Sequence, residues 1–321
     1  MNIVLTVPPS SGARSGNWRS AARWSRMLRS LGHRVRAESE WSSGGDVLVA
    51  LHARKSYSSI ARFHAERPHH PIIVVLTGTD VYRDIKKDAE AQNALAIATR
   101  IVVLQEHALQ ELSPALRRKT KIVHQSCDTA LQLAPPHTRF RLAVVAHLRE
   151  EKDPFCAARA LARLRHMPSL ELLQVGEALD SSMAAQCAAW QKRDPRYRWV
   201  GSVPHHLALR WMSRSHLLVV SSIMEGGANV ISEAVRIGLP VLASKISGNM
   251  GMLGPAYRGY YPLGDARALA QLIERSATEP RFYESLRRTM IRKQSTFTPA
   301  AERDAWRRVL EGIPPGKVAT R

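Results

Sequence analysis

Short, almost uninterrupted apolar runs alternate along the first half of the chain with segments in which apolar residues recur every three or four positions. The runs predict strands at residues 3–7, 47–51, 72–76, 101–104 and 121–123. The segments between them predict helices, among them one from Trp18 with Ala21, Trp24, Leu28 and Leu31 on one face. Strands that lack polar alternation are typical of a parallel sheet covered on both faces.

The same alternation restarts after Pro135 and Pro136. It predicts strands at residues 142–146, 170–175, 198–200, 217–220 and 241–243, with helices at 154–166, 181–191 and 229–237. This pattern indicates an α/β protein with two doubly wound Rossmann-like domains that face each other across a cleft. We expect domains at residues 1–135 and 136–292, and a helical segment at 293–321 that packs back on the first domain.

The composition agrees with two packed domains and narrows the choice of partner. The 321 residues are 45% apolar and 23% charged, and a single core stops growing near ~250–300 residues. Lys and Arg number 47 against 27 Asp and Glu, a net charge of +20 that favours an anionic partner. Nucleic acid is not expected, because the basic residues are spread over the whole chain and aromatic residues amount to only 6%.

Leader, membrane and cysteine patterns argue against several other classes. The opening residues carry no basic segment ahead of a short apolar run, which indicates a first strand rather than a signal peptide. No run approaches the ~20 apolar residues that span a bilayer, so we expect a cytoplasmic protein without stable membrane insertion. Cys127, Cys156 and Cys187 lie far apart without CxxC spacing, which favours neither disulfides nor a zinc site.

The most informative segment is residues 221–233, where Glu225 precedes Gly226 and Gly227 and a helix begins near Asn229. Glycines let backbone N–H groups approach a ligand, and a helix N-terminus favours negative charge, so a phosphate fits there. Glu225 at the loop rim and Glu233 about two turns into the helix are placed to accept hydrogen bonds from sugar hydroxyls. A tight turn with two solvent-facing glutamates explains the spacing equally well.

A second segment, residues 147–154, leaves one strand and enters the next helix. Asp153 is its predicted N-cap, with Pro154 at the first helical position. Arg149 and Lys152 are a forked and a compact cation, a pair suited to clamp a diphosphate. An ordinary charged surface loop has the same pattern.

Residues 11–19 form a third segment, a glycine-containing loop between the first strand and helix. The segment lacks the dinucleotide-binding and P-loop signatures, so a phosphate-facing loop and a mere connector are equally open. Further polar residues lie at or near the predicted carboxyl ends of the first-half strands, where open parallel sheets bind ligands. They are Arg14, Arg54, Thr77, Thr79, Gln105 and Gln125.

The Glu225-x7-Glu233 pair with its glycines, preceded by Arg149 and Lys152, resembles the donor site of family 4 glycosyltransferases of GT-B fold. Longer segments resemble the selenosugar synthases (SenB type) of selenoneine biosynthesis, in the same order along nearly the whole chain. These segments are SGNWRSAARWSRMLRSLGHRV, LTGTDVYRDI, VVLQEHAL, SSIMEGGANVISEAV and SGNMGMLGPAYRGYYPLGD. The resemblance implies transfer of the sugar of UDP-N-acetylglucosamine or UDP-glucose to selenophosphate, with formation of a carbon–selenium bond.

The resemblance also implies roles for individual residues. Arg149, Lys152 and Glu225 would be catalytic, the two cations holding the donor diphosphate while Glu225 faces the sugar. Glu233 would bind the ribose hydroxyls. The other donor-binding residues would be Gly16, Asn17, Gly226, Gly227, Ala228 and Asn229. Many family 4 enzymes carry a histidine in the loop occupied here by residues 77–80, so no catalytic histidine is transferred to this chain.

The implied reaction sets expectations for cofactors and partners. The basic pair can replace a divalent ion, and no DxD lies in a plausible donor loop, so we expect no metal and no other cofactor. Selenophosphate is already an anionic nucleophile, and the six polar first-half residues are the candidates to bind it. Other enzymes of selenoneine synthesis are possible partners. The alternative is an ordinary family 4 hexosyltransferase that acts on a lipid or polysaccharide at the membrane surface.

Overall fold

The computed structural model describes residues 1–8 and 16–313, which fall into two compact units. Unit 1 comprises residues 1–125 and the chain from residue 299 onward, and unit 2 comprises residues 126–298. The limits expected from the sequence, at residues 135 and 292, lie ten residues after the first of these boundaries and six residues before the second. The assignment of an acceptor role to one domain and a donor role to the other stays a prediction.

Unit 1 is built on six parallel strands in the order β2-β1-β3-β4-β5-β6. The strands are β1 (Asn2–Thr6), β2 (Arg34–Glu38), β3 (Val47–Leu51), β4 (Ile72–Val75), β5 (Arg100–Val103) and β6 (Thr120–Ile122). The helices are α1 (Gly16–Ser30), α2 (Tyr57–Glu66), α3 (Ile85–Lys87), α4 (Ala89–Ile97), α5 (Pro114–Arg118) and, from the end of the chain, α13 (Pro299–Leu310). Strands β3 and β4 are buried along their whole length, as their apolar runs predict.

Unit 2 repeats this architecture with the strand order β12-β11-β10-β7-β8-β9, again all parallel. Its strands are β7 (Phe140–Val145), β8 (Leu170–Val175), β9 (Tyr197–Trp199), β10 (Leu217–Val220), β11 (Val241–Ser244) and β12 (Tyr260–Tyr261). Its helices are α6 (Cys156–Leu161), α7 (Ser181–Arg193), α8 (His205–Ser213), α9 (Asn229–Ile237), α10 (Ser247–Leu253), α11 (Ala266–Thr278) and α12 (Pro280–Lys293). Two doubly wound α/β units are therefore confirmed. Across the described ranges, no helix is long and apolar enough to cross a membrane.

Strand β2 and helix α6 differ from the sequence prediction for identifiable reasons. Strand β2 was not predicted, because this edge strand mixes charged and apolar residues and is mostly exposed. The helix predicted at 154–166 extends only over α6, and Asp153 is not its N-cap. Asp153 instead has a φ of 39°, in the left-handed region, and its carboxylate binds Arg159 at 2.8 and 2.9 Å. The carboxylate that was expected to cap backbone N–H groups is thus engaged by a guanidinium.

Helix α13 is anchored on unit 1. Trp306 packs against Trp24 with ring centroids 5.1 Å apart, and Trp24 Nε1 donates to Glu302 Oε1 at 2.6 Å. Arg100 Nη1 donates to the carbonyl oxygens of Val309 at 2.5 Å and Glu311 at 2.9 Å. Val309 lies in the last turn of α13 and Glu311 directly after the helix, so the arginine closes its C-terminal end.

Candidate functional site

Three polar side chains meet at the carboxyl edge of the unit 2 sheet, where β10 ends. The Lys152 ammonium is paired with Oε1 of Glu225, and the Ser222 hydroxyl donates to the same oxygen at 2.6 Å. Glu225 is only 8% exposed. The carboxylate before the double glycine is therefore held inside the fold, and the interpretation of Glu225 as a solvent-facing turn residue is wrong.

Hydrogen bonds to main-chain carbonyl oxygens join the loop of Lys152 to the loop after β10. Ser221 Oγ donates to the carbonyl oxygens of Lys152 and Asp153 at 2.9 and 2.8 Å. The Ile223 N–H donates to the carbonyl oxygen of Glu151 at 2.8 Å. The structure thus brings together two segments, 147–154 and 221–233, that the sequence could only place after separate strands.

The loop after β11 packs against the loop that carries Glu225. Ser244 Oγ donates to the Ser222 carbonyl at 2.6 Å, and Asn249 Nδ2 donates to the Ser244 carbonyl at 2.9 Å. Gly248 lies so close to the backbone of Glu225 that a Cβ at this position would overlap the Glu225 carbonyl oxygen. Only a residue without a side chain allows this approach, so the position of Glu225 depends on Gly248.

Glu233 lies on α9 and is 9% exposed. His205, the first residue of α8, places its Nε2 at 2.8 Å from Glu233 Oε1. The interpretation of Glu233 as a solvent-facing residue is therefore also wrong. The sequence did not single out His205 as functional, although a signal was present: it ends the polar segment that follows β9 at the carboxyl edge of the sheet.

Arg149 differs from Lys152 in its surroundings. Its side chain is 52% exposed, and its Nε lies 3.9 Å from Glu151 Oε2, too far for a hydrogen bond. Of the four residues that follow Glu225, Gly226 and Ala228 are buried, while Gly227 and Asn229 are half-buried. Helix α9 begins at Asn229. The two cations are thus one exposed guanidinium and one ammonium fixed by an ion pair, both ahead of α6.

In unit 1, His52 and Asp80 form a buried polar cluster after β3 and β4. His52 has a φ of 73° and places its Nδ1 3.3 Å from Asp80 Oδ1, while its Nε2 contacts Thr79 Oγ1 at 3.0 Å. Burial lowers the pKa of His52 to about 4 and raises the pKa of Asp80 to about 7. Both shifts disfavour the charged forms, so the 3.3 Å approach of His52 Nδ1 to Asp80 Oδ1 is not an ion pair of full charges.

The acceptor residues predicted in unit 1 lie in different surroundings. Thr77 and Thr79 bind Asp80 and His52, whereas Arg54 is half-exposed and its Nε lies 3.8 Å from Asp88 Oδ2. Gln105 and Gln125 are buried, Gln105 against Tyr82 and Gln125 against Ser20. Gly16 and Asn17 begin α1, and Arg14 lies outside the described residues. A direct contact of these residues with a substrate stays a prediction.

Metal sites in proteins are built mainly from acidic, histidine and cysteine side chains. Among residues 1–8 and 16–313, no group of three or more such side chains is arranged to hold a metal ion. Metal independence of the reaction stays a prediction that requires an assay.

Comparison with known proteins places this site in a family. The family model for glycosyl transferases group 1 matches residues 130–294, which include every unit 2 site residue named above. The chain is 24% identical over 231 residues to glycosyltransferase 1 domain-containing protein 1 of Xenopus tropicalis, covering 65% of this chain and 67% of that protein.

Solved structures share the fold over nearly the whole chain. HepE of Anabaena, solved in complex with UDP-glucose, matches with a TM-score of 0.78 at 16% identity, covering 98% of this chain and 100% of HepE. Sucrose-phosphate synthase of Thermosynechococcus elongatus matches with a TM-score of 0.75 at 17% identity over 96% and 98% of the two chains. The fold is therefore GT-B. Because the family model covers more than half of the sequence, this chain belongs to the glycosyl transferases group 1 family.

Proposed function

We propose that this chain transfers the sugar of a UDP-sugar to selenophosphate, with UDP-N-acetylglucosamine and UDP-glucose as the candidate donors. The main support for UDP-sugar binding is that Glu225 and Glu233 are held in the same way. Each is buried and is held through Oε1 alone, by Lys152 and Ser222 in one case and by His205 in the other. Within the described residues, neither Oε2 has a hydrogen-bond partner, so each is left to accept from a ligand hydroxyl.

The surroundings of the two glutamates fit a diphosphate-linked sugar. The N-terminus of α9 and the exposed guanidinium of Arg149 favour an anion, and the ammonium of Lys152 lies beside the carboxylate assigned to the sugar. In this proposal Glu233 accepts from the ribose hydroxyls, and Glu225 accepts from the hexose. HepE, which shares the fold, was solved with UDP-glucose, in agreement with such a donor.

Lys152 and Arg149 act on the bond that breaks. As the anomeric carbon–oxygen bond opens, its electron pair passes to the β-phosphate of UDP. Fixed cations stabilise that charge more in the transition state than in the ground state, and removing one such group typically costs about 3–4 kcal/mol. Because Glu225 and the loop of residues 221–223 already hold Lys152, little reorganisation is required.

The proposal that selenophosphate is the acceptor rests on the sequence resemblance and on the burial of His52 and Asp80 in unit 1. A selenium lone pair attacks the anomeric carbon and forms the carbon–selenium bond, while UDP leaves. An alcohol acceptor requires a base to remove its proton. His52 and Asp80 are buried and engaged in hydrogen bonds, so neither is presented to an acceptor. An acceptor that arrives as an anion needs no such base, so selenophosphate is compatible with this state of unit 1.

The donor half is tested by calorimetric titration with UDP. Glu233→Ala should raise the Kd at least about tenfold, since hydrogen bonds to a charged group contribute about 1.5–3 kcal/mol. The control is Glu274→Ala, which removes a half-exposed carboxylate from α11, and its Kd should be unchanged. Equal affinity of wild type and Glu233→Ala would contradict the donor assignment, and absence of any UDP binding would overturn the proposal.

A further inference from the structure

A cavity of about 610 Å³ opens on unit 2 among α6, α7 and α11. It is lined by Arg159 of α6, by Ala162 and Arg163 directly after that helix, by Trp190 and Arg193 of α7, and by residues 264–267 at the start of α11. None of these residues carries a role in the proposed donor site. The cavity is therefore a separate feature of the unit.

The lining carries four guanidinium groups, from Arg159, Arg163, Arg193 and Arg267, against one carboxylate. That carboxylate, Asp265, caps α11 by accepting from the N–H groups of Arg267 and Ala268, both at 2.9 Å. Within the described part of the chain, Arg163, Arg193 and Arg267 have no carboxylate partner. Most of the positive charge at this cavity is thus uncompensated by the protein.

The four guanidinium groups line a single opening. Trp190 and Arg193 are stacked, with the guanidinium carbon 5.0 Å from the ring centroid, which orders one of the four groups. Several guanidinium groups around one opening match the oxygens of a phosphate-bearing anion, because each can donate two parallel hydrogen bonds.

Arg159 connects the cavity to the loop of Lys152. Its Nη2 donates to both carboxylate oxygens of Asp153, the residue that directly follows Lys152. Asp153 has a left-handed backbone, and its carbonyl oxygen accepts from Ser221 Oγ. An anion that binds Arg159 in the cavity would compete with the Asp153 carboxylate for the hydrogen bonds of its guanidinium.

We propose that this cavity is a second anion site, which binds a compact polyphosphate or phosphate ester and is coupled to the Lys152 loop through Arg159 and Asp153. Binding at the cavity does not depend on the proposed donor chemistry. The consequence for Lys152 rests on the proposed function.

Calorimetric titration with tripolyphosphate tests the site. The double variant Arg163→Gln, Arg267→Gln should weaken binding by about tenfold or more, because two charge-assisted contacts are lost. A matched control, Arg281→Gln with Arg303→Gln, removes the same charge from exposed positions on α12 and α13 and should bind as the wild type does. Equal affinity of the two double variants would overturn the proposal, because binding would then follow net charge alone.

Arg149→Gln distinguishes the cavity from the proposed donor site. Tripolyphosphate binding that survives Arg149→Gln and is lost with Arg163→Gln, Arg267→Gln supports the cavity, whether or not the chain binds UDP. The opposite pattern assigns the anion to the donor site and overturns the inference while leaving the proposed function intact.

Binding to vesicles with and without phosphatidylglycerol distinguishes a lipid headgroup from a free phosphate compound as the ligand of the cavity. If the protein binds phosphatidylglycerol vesicles only when Arg163 and Arg267 are present, and does not bind tripolyphosphate, the phosphate belongs to a lipid headgroup and the site is supported.

Asp153→Asn tests the coupling. Without its carboxylate competitor, Arg159 is released to the cavity, so the affinity for tripolyphosphate should rise about fivefold or more, the lower end of typical coupling between sites. An affinity that is unchanged or lower in Asp153→Asn would contradict the connection between the cavity and the Lys152 loop.

Discussion

The Nε2 atom of His205 lies 2.8 Å from Oε1 of Glu233, and this contact joins the first turn of α8 to the second turn of α9. It fixes the carboxylate of Glu233 in one rotamer and leaves Oε2 for a ligand. A rotating carboxylate would have to be ordered on binding, at a cost in side-chain entropy. His205 is therefore a positioning residue for Glu233.

His205→Ala should raise KM for the UDP-sugar about fivefold, because a hydrogen bond of about 1 kcal/mol that orients Glu233 is lost. The value of kcat should change less, since Glu233 is assigned to the ribose rather than to the reacting bond. Steady-state kinetics separates the two parameters.

Two variants control this experiment. His206→Ala changes the exposed neighbour on α8 and should leave KM at the wild-type value. His205→Gln retains a donor and should recover most of the affinity. A loss of kcat without a change of KM in His205→Ala would contradict the positioning role.

Gly248→Ala should destabilise the loop of Glu225, because the new Cβ would overlap the Glu225 carbonyl oxygen. We expect a loss of about 1–3 kcal/mol in the free energy of unfolding, the usual cost of overpacking a filled site. Chemical denaturation measures this loss. The variant should also bind UDP more weakly, because Glu225 is displaced. Unchanged stability together with unchanged UDP affinity would show that the close approach of Gly248 to Glu225 is not required.

Asp80 and His52 should give opposite contributions to the pH dependence of stability. The folded pKa of Asp80, about 7, is above its ordinary value of 3.8, so the folded state binds the extra proton and this contribution falls as the pH rises from about 4 to about 7. The folded pKa of His52, about 4, is below 6.5, so its contribution rises with pH between about 4 and about 6.5. The two largely cancel in the wild type.

Single variants separate these contributions. Asp80→Asn, which imitates the protonated acid, should gain stability relative to the wild type between pH 4 and 7, by at most about 1.4 kcal/mol per pH unit. His52→Asn, which tolerates the positive φ, should lose stability relative to the wild type over pH 4 to 6.5. Urea denaturation at several pH values measures both slopes, and parallel curves for all three proteins would contradict the assigned pKa shifts.

Arg100→Gln should loosen α13 from unit 1, because the guanidinium closes the helix by binding the carbonyl oxygens of Val309 and Glu311. Hydrogen bonds from a charged group contribute about 1.5–3 kcal/mol, so their loss should appear as lower stability and faster proteolysis near the C-terminal end. Arg303→Gln, at an exposed position on α13, is the matched control and should behave as the wild type does.

The sequence predicted the parts of the fold that rest on buried apolar runs and missed those that rest on single contacts. Strands such as β3 and β10 are apolar throughout, so the parallel sheets followed from the pattern. Strand β2 was not predicted, because a strand at the edge of the sheet needs no apolar face. Asp153 was assigned as an N-cap from local spacing, but its bond to Arg159 overrides that preference.

At the candidate site, the sequence could identify the residues but not their partners. Glu225, Glu233 and Lys152 were identified from glycine spacing, charge and the family resemblance. The choice between buried ligands and solvent-facing glutamates depended on His205 and Gly248, which reach the site from other loops. Such contacts between distant segments leave no periodic trace in a single sequence.

Mass spectrometry of the products formed from UDP-N-acetylglucosamine and from UDP-glucose, each incubated with the protein and selenophosphate, tests the central claim most directly. The account predicts stoichiometric release of UDP and a sugar product that carries the isotope pattern of selenium, with neither formed when inorganic phosphate replaces selenophosphate. Donors that remain intact beside selenophosphate, or hexose transferred only to an oxygen acceptor, would contradict it.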